Sequence, residues 1–258
     1  MTSVTVVIPS RVQPNQIQFL ACAIGSVEAQ RVRDRVEIEV LVAIDPDAAP
    51  PLLDSFSIPL RVIRAEKSSG PFAVNAAAAE AKGDYLAILE DDDSWDPNHL
   101  GVSLQALEHC AFVSGTQLEV DPEGTVVRIN DFATPDSWVM PRETWDRVGP
   151  LDTSYRYHAD NEWLGRLSEH RVPRVHLVES TAPHSLHLAR PVRPWLAKVI
   201  TLGGGDVRLE RHDSPVPLVR RLVHAGSGMQ RISVEPETGA VSASEYVRLT
   251  QRYGRIPW

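Results

Sequence analysis

The sequence lacks the features that mark secreted, disulfide-stabilised or membrane-spanning proteins. It contains only two cysteines, Cys22 and Cys110, and they form no CxxC pair, so a disulfide framework is excluded. No run approaches the ~18 apolar residues that a membrane-spanning helix needs. The first residues show no basic stretch followed by a long apolar one, so no signal peptide is expected. We therefore expect a cytoplasmic protein without transmembrane contact.

The chain also has fewer basic than acidic residues. The 34 aspartates and glutamates exceed the 26 lysines and arginines, which gives a formal net charge of −8. Proteins that bind duplex nucleic acid usually carry a basic surface, so no nucleic-acid partner is expected. With 258 residues, the chain is long enough to bury a full hydrophobic core, as one large domain or one domain with an appendage.

Strand-like and helix-like patterns alternate in the first part of the chain. The first strand-like run is continuously β-branched, which is typical of a strand buried on both faces, and apolar residues at helical spacing lie between the runs. The strand-like runs are residues 4–8, 36–44, 60–64 and 85–89, and the helix-like segments are residues 16–30 and 72–81. This alternation predicts an α/β fold with a Rossmann-like, mostly parallel central sheet flanked by helices.

The rest of the chain is less regular. Asp96 and Pro97 predict the start of a further helix, with Asp96 as its N-cap. Later predicted elements are strands at 112–118, 125–129 and 172–178 and helices at 142–148 and 161–170. Beyond residue 183, prolines and a run of three glycines interrupt the pattern. We expect residues 1–110 and 111–182 to form two halves of one domain, and residues 183–258 to form a C-terminal extension or lid.

Polar residues follow three of the predicted strands directly. Ser10 follows the first strand, Asp45 the second, and four consecutive carboxylates at residues 90–93 follow the fourth. Ligands bind at the carboxyl ends of the strands in parallel sheets, so these groups are expected to converge on one edge. Four adjacent carboxylates repel one another, and a hard divalent cation that prefers carboxylate oxygens would offset this cost. A solvated acidic turn that precedes a helix is the alternative.

The order and spacing of these segments resemble family 2 glycosyltransferases, which have the GT-A fold. Residues 6–11 (VVIPSR) resemble the first strand of that family and its nucleotide-contacting turn. Residues 39–45 resemble its second strand, whose terminal acidic residue faces the nucleotide base. Residues 81–95 resemble the segment that contains the DxD motif, with Glu90, Asp91 and Asp92 in the place of that motif.

The resemblance implies a donor site for a UDP-, GDP- or TDP-linked sugar and a Mn²⁺ or Mg²⁺ ion. Asp92 would bind the metal, and Glu90 would contact the ribose or the metal. The residues that the resemblance assigns to the nucleotide are Pro9, Ser10, Arg11, Asp45, Asn75, Glu90 and Asp91. The first half of the domain would therefore bind the sugar nucleotide.

The resemblance also implies an acceptor side in the second half of the domain. Asp160 lies six residues before Arg166, which matches the position of the catalytic base in a family that inverts the anomeric centre. An N-cap role for Asp160 is compatible with this, and Glu162 is a weaker rival as base. Trp138 is expected to offer an aromatic face to a sugar. The acceptor would be a small molecule, a glycan or a protein side chain.

Two histidines and an arginine beyond residue 183 complete the expected site. Related enzymes often have a histidine near the metal in this region, so His184 is the expected metal ligand and ranks above His187. His187 and Arg190 are expected in a lid that closes over the diphosphate. Such lids exclude water and protect a reactive donor from hydrolysis.

Some positions depart from the family pattern and leave other functions open. Val12 stands where the family usually has asparagine, Val74 where it often has arginine, and Ala159 where it has glutamate. A sugar-nucleotide-binding protein without catalysis therefore remains an alternative. A nucleotidyltransferase is a second alternative, although residues 9–14 contain none of the glycines that its phosphate loop usually has. The oligomeric state also stays open, with a homodimer as one option.

Overall fold

The structure is a computed structural model that describes residues 1–13, 16–177, 197–200, 208–210 and 217–257. Its strands are β1 (Thr2–Ser10), β2 (Val36–Ile44), β3 (Leu60–Arg64), β4 (Tyr85–Ile88), β5 (Ser94–Trp95), β6 (Val113–Gly115), β7 (Gln117–Val120), β8 (Val126–Asn130), β9 (Val139–Pro141), β10 (Arg174–Leu177), β11 (Ala197–Ile200), β12 (Arg208–Glu210) and β13 (Val219–Leu222). Its helices are α1 (Ile17–Glu28), α2 (Gly70–Glu80), α3 (His99–Ala106), α4 (Arg142–Val148), α5 (Ala159–Glu169), α6 (Gly228–Val234) and α7 (Pro236–Tyr253), with a 3₁₀ turn at Pro135–Ser137.

The central sheet has the order β12-β11-β10-β6-β9-β4-β1-β2-β3. Strands β1 to β4 pair in parallel, as do β6 and β10, whereas β9 runs antiparallel to both of its neighbours. The prediction of a mostly parallel central sheet flanked by helices is therefore confirmed. Because β4, β1 and β2 lie side by side, the residues that follow them meet at one edge of the sheet.

The core has one layer on each face of the central sheet, and β1 shows why. Val6 and Ile8 pack in the layer that contains α1, whereas the intervening Val7 packs in the layer that contains α2, α5 and α7. All three valine and isoleucine side chains are fully buried. An apolar residue at every position is what a strand covered on both faces requires, because successive side chains point to opposite faces.

A smaller sheet with the order β5-β13-β7-β8 lies beside the acidic run. Its strand β13 comes from the C-terminal part of the chain and pairs antiparallel with β5 and parallel with β7. The strand predicted at 112–118 is consequently divided at Thr116 into β6 and β7, which belong to different sheets. Apolar pattern alone does not reveal this division, because both halves are buried.

Two predicted helix starts need correction. The helix α3 begins at His99 and not at Pro97, and the Asp96 carboxylate accepts a hydrogen bond from the Asn98 amide in the preceding turn. The helix α5 begins at Ala159, so Asp160 lies in its first turn instead of serving as its N-cap. Short polar side chains stabilise turns as well as helix starts, which makes the two roles hard to separate from sequence.

The helix α7 packs against α5 and joins the core. Its Leu249 is fully buried in the core layer that also contains residues of α2 and α5, and its Arg252 forms ion pairs with Glu162 and Glu169 of α5. Gly165 of α5 faces the ring of Tyr253 so closely that a Cβ atom there would overlap the ring. Among the described residues, no helix is long and apolar enough to cross a membrane.

We expect Gly165→Ala to destabilise the protein, because the added methyl group forces the Tyr253 ring and the end of α7 away from α5. The cost of such overpacking is about 1–3 kcal/mol, which chemical denaturation would measure as a lower free energy of unfolding. Gly25→Ala is the matched control, because Gly25 also lies inside a helix but has open space where the Cβ atom would be. An equal loss in both variants would contradict the close contact between α5 and α7.

Candidate functional site

The acidic run occupies a tight turn between two anchored strands. Before the turn, the amide of Leu89, which directly follows β4, donates to the Val7 carbonyl. After the turn, the Trp95 indole of β5 donates to the Asp136 carbonyl. Within the turn, the Asp93 amide donates to the Glu90 carbonyl at 3.2 Å. This geometry brings the carboxylates of Glu90, Asp92 and Asp93 together, with one oxygen of each within 4.8 Å of the others.

Burial and mutual repulsion alter the acidity of these carboxyls. Burial, followed by the nearby Asp92, raises the pKa of Glu90 to about 8. Burial and the same neighbour also raise the pKa of Asp93 well above its usual range. A further carboxyl, Asp136 from the 3₁₀ turn, is fully buried in contact with Asp93, and burial raises its pKa as well. Positive charge nearby would favour the ionised form of such a cluster.

Arg221 of β13 supplies that positive charge. Burial opposes its ionisation, but Asp136, Glu90 and Asp93 outweigh burial and raise the pKa of Arg221. Its Nη1 also donates to Glu119 Oε1 at 3.1 Å. Glu119 is buried and accepts further hydrogen bonds from Arg128 and Asn130. The guanidinium is therefore held between Glu119 and the acidic turn.

His224, two residues after β13, contacts the central carboxylate of the turn. Its Nε2 lies 2.9 Å from Asp92 Oδ2, and its Nδ1 accepts a hydrogen bond from the Gly226 amide at 3.2 Å. An accepting Nδ1 leaves the proton of the neutral ring on Nε2, which then donates to Asp92. This hydrogen bond raises the pKa of His224. In a neutral ring, Nε2 would have to release its proton before it could bind a metal.

The edge formed by β4, β1 and β2 brings together most of the residues predicted to contact a nucleotide. Ser10 at the end of β1 donates to Asp91 at 2.6 Å, and its hydroxyl accepts from the Val12 amide. Arg11 lies close enough to lower the pKa of Asp91, although burial and Asp92 outweigh it and raise that pKa to about 6. Asp45 follows Ile44, the register partner of Ser10 in the parallel β1–β2 pair.

Asp160 lies at the same site, in the first turn of α5. Burial raises its pKa, whereas His158 and Arg221 act in the opposite direction. Asp160 in turn contributes to the raised pKa of Glu90. The carboxyl of Asp160 is therefore in the electric field of the acidic turn and of Arg221, although α5 lies far from β4 in sequence.

Three predicted site residues have other roles in the structure. Asn75 bridges α2 to the loop between α4 and α5, because its side-chain amide both donates to and accepts from the Leu151 backbone. Trp138 is fully buried against Phe112 and Trp163, so its faces are not available to a sugar.

Glu162 is also buried, and its carboxylate accepts from Arg166 and Arg252. Its carboxylate therefore joins α5 to α7, and the expectation that Glu162 on the acceptor side rivals Asp160 as base is corrected. His184, His187 and Arg190 lie outside the described residues.

We expect Arg221→Met to lower the free energy of unfolding by about 3–5 kcal/mol, because removal of one partner leaves buried carboxylates without their counter-charge. Chemical denaturation of the variant and the wild type at about pH 5 and about pH 8 tests how the loss of unfolding free energy depends on pH. Without Arg221, the folded-state pKa values of Glu90, Asp93 and Asp136 rise further above their unfolded values. The variant's loss of unfolding free energy, relative to the wild type, therefore grows as pH rises. Arg220→Met is the control, because Arg220 is exposed on the same strand. A loss of unfolding free energy that is equal at both pH values would contradict the role of Arg221 as the positive charge of the acidic turn.

Comparison with known proteins gives one family and a set of solved structures with the same fold. The model of the family described as glycosyl transferase family 2 matches residues 5–161. The uncharacterised glycosyltransferase YwdF of Bacillus subtilis (strain 168) is 29% identical over 139 residues, which are 46% of this chain and 52% of YwdF. The succinoglycan biosynthesis protein ExoO of Rhizobium meliloti (strain 1021) is 29% identical over 102 residues, which are 38% of this chain and 28% of ExoO. The matched part thus spans about half of one relative and about a quarter of the other.

Two of the solved structures carry a nucleotide sugar. Residues 1–349 of S. aureus TarS in complex with UDP-GlcNAc match with a TM-score of 0.52 and 15% identity, over 65% of this chain and 53% of that chain. The mannosyltransferase PcManGT from Pyrobaculum calidifontis, in complex with GDP-Man and Mn²⁺, matches with a TM-score of 0.51 and 14% identity, over 66% of this chain and 53% of that chain. At these identities the match concerns the fold, and it confirms the predicted GT-A architecture.

Proposed function

The chain belongs to glycosyl transferase family 2, and on that premise we propose that it transfers a sugar from a nucleoside-diphosphate sugar to an acceptor hydroxyl. The observation that carries this proposal is the meeting of the acidic turn, the carboxyl ends of β1 and β2, and Asp160 at one site. The name of YwdF as a glycosyltransferase and the sugar nucleotides bound to TarS and PcManGT support the same assignment.

The carboxylates of the acidic turn fit a divalent cation, Mn²⁺ or Mg²⁺. Asp92 is the proposed ligand, with Glu90 and Asp93 close enough to share the ion. Carboxylate oxygens are the donors that these hard cations prefer, and Mg²⁺ commonly takes one or two carboxylates together with substrate phosphates. A bound cation would stabilise the negative charge that develops on the leaving diphosphate. His184, which the resemblance makes a metal ligand, lies outside the described residues; His224 contacts Asp92, and we propose that it orients this ligand.

The nucleotide would lie along the ends of β1 and β2. Pro9, Ser10 and Arg11 border this edge, and Asp45 is the proposed contact to the base. Ser10 fixes Asp91 by a hydrogen bond, so Asp91 would shape the turn that holds the donor. PcManGT carries a GDP-linked sugar and TarS a UDP-linked one, which leaves UDP, GDP and TDP as the nucleotides to test.

Asp160 is the proposed general base. Burial raises its pKa, which makes its carboxylate a better proton acceptor than an exposed aspartate. The acceptor oxygen attacks the anomeric carbon, the bond from that carbon to the diphosphate oxygen breaks, and the hydroxyl proton passes to Asp160. Attack opposite the leaving group inverts the anomeric configuration. The proposed acceptor is a small molecule, a glycan or a protein side chain.

We expect Asp160→Asn to lower turnover of the donor by about 10²–10⁴-fold, because an amide cannot accept the proton. Release of nucleoside diphosphate from a panel of UDP-, GDP- and TDP-sugars with Mn²⁺ or Mg²⁺ would measure this, and nucleotide affinity should stay unchanged. Asp146→Asn is the control, because Asp146 is an exposed aspartate on α4. Metal-dependent nucleotide binding by the wild type without any turnover would instead identify a sugar-nucleotide-binding protein without catalysis.

We expect His224→Ala to weaken Mn²⁺ binding about 10-fold or more, since groups that contact a metal ligand orient that ligand. Calorimetric titration with Mn²⁺ in the presence of UDP or GDP would measure the affinity. His109→Ala serves as the control because His109 is exposed after α3. Unchanged Mn²⁺ affinity in His224→Ala would rule out its role beside Asp92.

A further inference from the structure

A buried glutamate of α7 binds the backbone directly before α5. Glu245 is only 4% exposed, and its carboxylate accepts hydrogen bonds from three consecutive amides. These amides belong to Arg156, Tyr157 and His158, at donor–acceptor distances of 2.6, 2.9 and 3.1 Å. Hydrogen bonds from N–H groups to a carboxylate are about twice as strong as neutral ones. Glu245 therefore fixes the path of the chain where α5 begins.

Two further contacts hold the same short segment from the C-terminal side of the molecule. His158 Nε2 lies 2.9 Å from the Ser242 hydroxyl of α7, and His158 Nδ1 lies 3.1 Å from Asn161 Oδ1. The Asn161 amide then donates to the Pro257 carbonyl at 2.8 Å. Asp160 lies between His158 and Asn161 in sequence, so the residues on both sides of it are tied to the C-terminal part of the chain.

The contacts of Glu245 are made to backbone amides and not to side chains. They consequently set the direction in which the chain enters α5, whatever side chains residues 156 and 157 carry. Packing of α7 onto α5 does not require them, because buried Leu249 and the Arg252–Glu162 ion pair also join the two helices. A buried carboxylate is costly unless it is hydrogen-bonded, which favours a specific role at this place.

We propose that Glu245 is a positioning residue that holds Asp160 in its reactive place. This inference rests on the proposed function, in which Asp160 is the base. The match to the family ends at residue 161, so Glu245 lies outside the part of the chain that the family model describes. A displacement of about 1 Å at a reacting group can cost about 10²-fold in rate, so a small shift at the start of α5 is enough to matter.

The test is a comparison of Glu245→Gln with Glu237→Gln. Glu245→Gln replaces one acceptor oxygen by an NH₂ group, which cannot accept a hydrogen bond from the backbone amides. Glu237→Gln is the control because Glu237 is exposed on the same helix. We expect kcat for donor turnover to fall about 10-fold or more in Glu245→Gln, with an unchanged donor KM, because the donor edge of β1 and β2 is untouched. Glu237→Gln should match the wild type. Glu245→Asp, which keeps the carboxylate, should recover part of the lost rate.

Hydrogen exchange provides a readout that does not need turnover. In Glu245→Gln, amides of the 155–161 segment should exchange faster, while those of β1 and β4 should keep wild-type protection. Unchanged exchange in that segment, an unchanged kcat, or equal losses in Glu245→Gln and Glu237→Gln would overturn the positioning role. Absence of turnover in the wild type would count against the proposed function instead, and exchange of the 155–161 segment would then decide alone whether Glu245 holds the start of α5.

Discussion

The site depends on one electrostatic constraint, which is that several carboxyls are buried close together. Glu90, Asp93 and Asp136 all have raised pKa values, and burial is the main cause in each case. Arg221 lies among them, and Glu119 holds its guanidinium from the opposite side. The proposed divalent cation would add positive charge beside Glu90, Asp92 and Asp93 of the same cluster. The small sheet, which carries Arg221 beside the acidic turn, is therefore as important to the site as the central sheet.

The C-terminal part of the chain completes the site from two directions. The strand β13 brings Arg221 and His224 to the acidic turn, and α7 holds the start of α5 through Glu245. The family match ends at residue 161 and includes neither element. The central sheet thus provides the proposed donor edge, at the ends of β1 and β2, and later segments contribute the charges beside it and the contacts that hold the proposed base. The family match therefore does not include the residues that set the charge at the acidic turn and hold the start of α5 in this chain.

The edge of the central sheet could be predicted because its signals are local. The strands β1, β2 and β4 contain the apolar runs 6–8, 40–44 and 86–88, and parallel pairing brings Ser10, Asp45 and the acidic turn to one edge. Arg221 and His224 could not be found in this way, because their position depends on pairing of β13 with β5 and β7, which are distant in sequence. Asn75 and Trp138 illustrate a second difficulty. An asparagine amide or a tryptophan indole can contact a ligand, but it can equally contact a neighbouring loop or the core. Only the packing around the side chain shows which of these contacts it makes.

The pairing of β13 has a consequence for how the protein is made. The hydrogen bond from the Leu222 amide to Asp93 joins groups that are 129 residues apart in sequence. During synthesis, the acidic turn therefore leaves the ribosome well before the arginine that neutralises it. Long-range pairings form late because the chain between them must first be ordered. The nascent protein would thus assemble its proposed donor edge early. Arg221 would neutralise the acidic turn only later, when β13 pairs with β5 and β7.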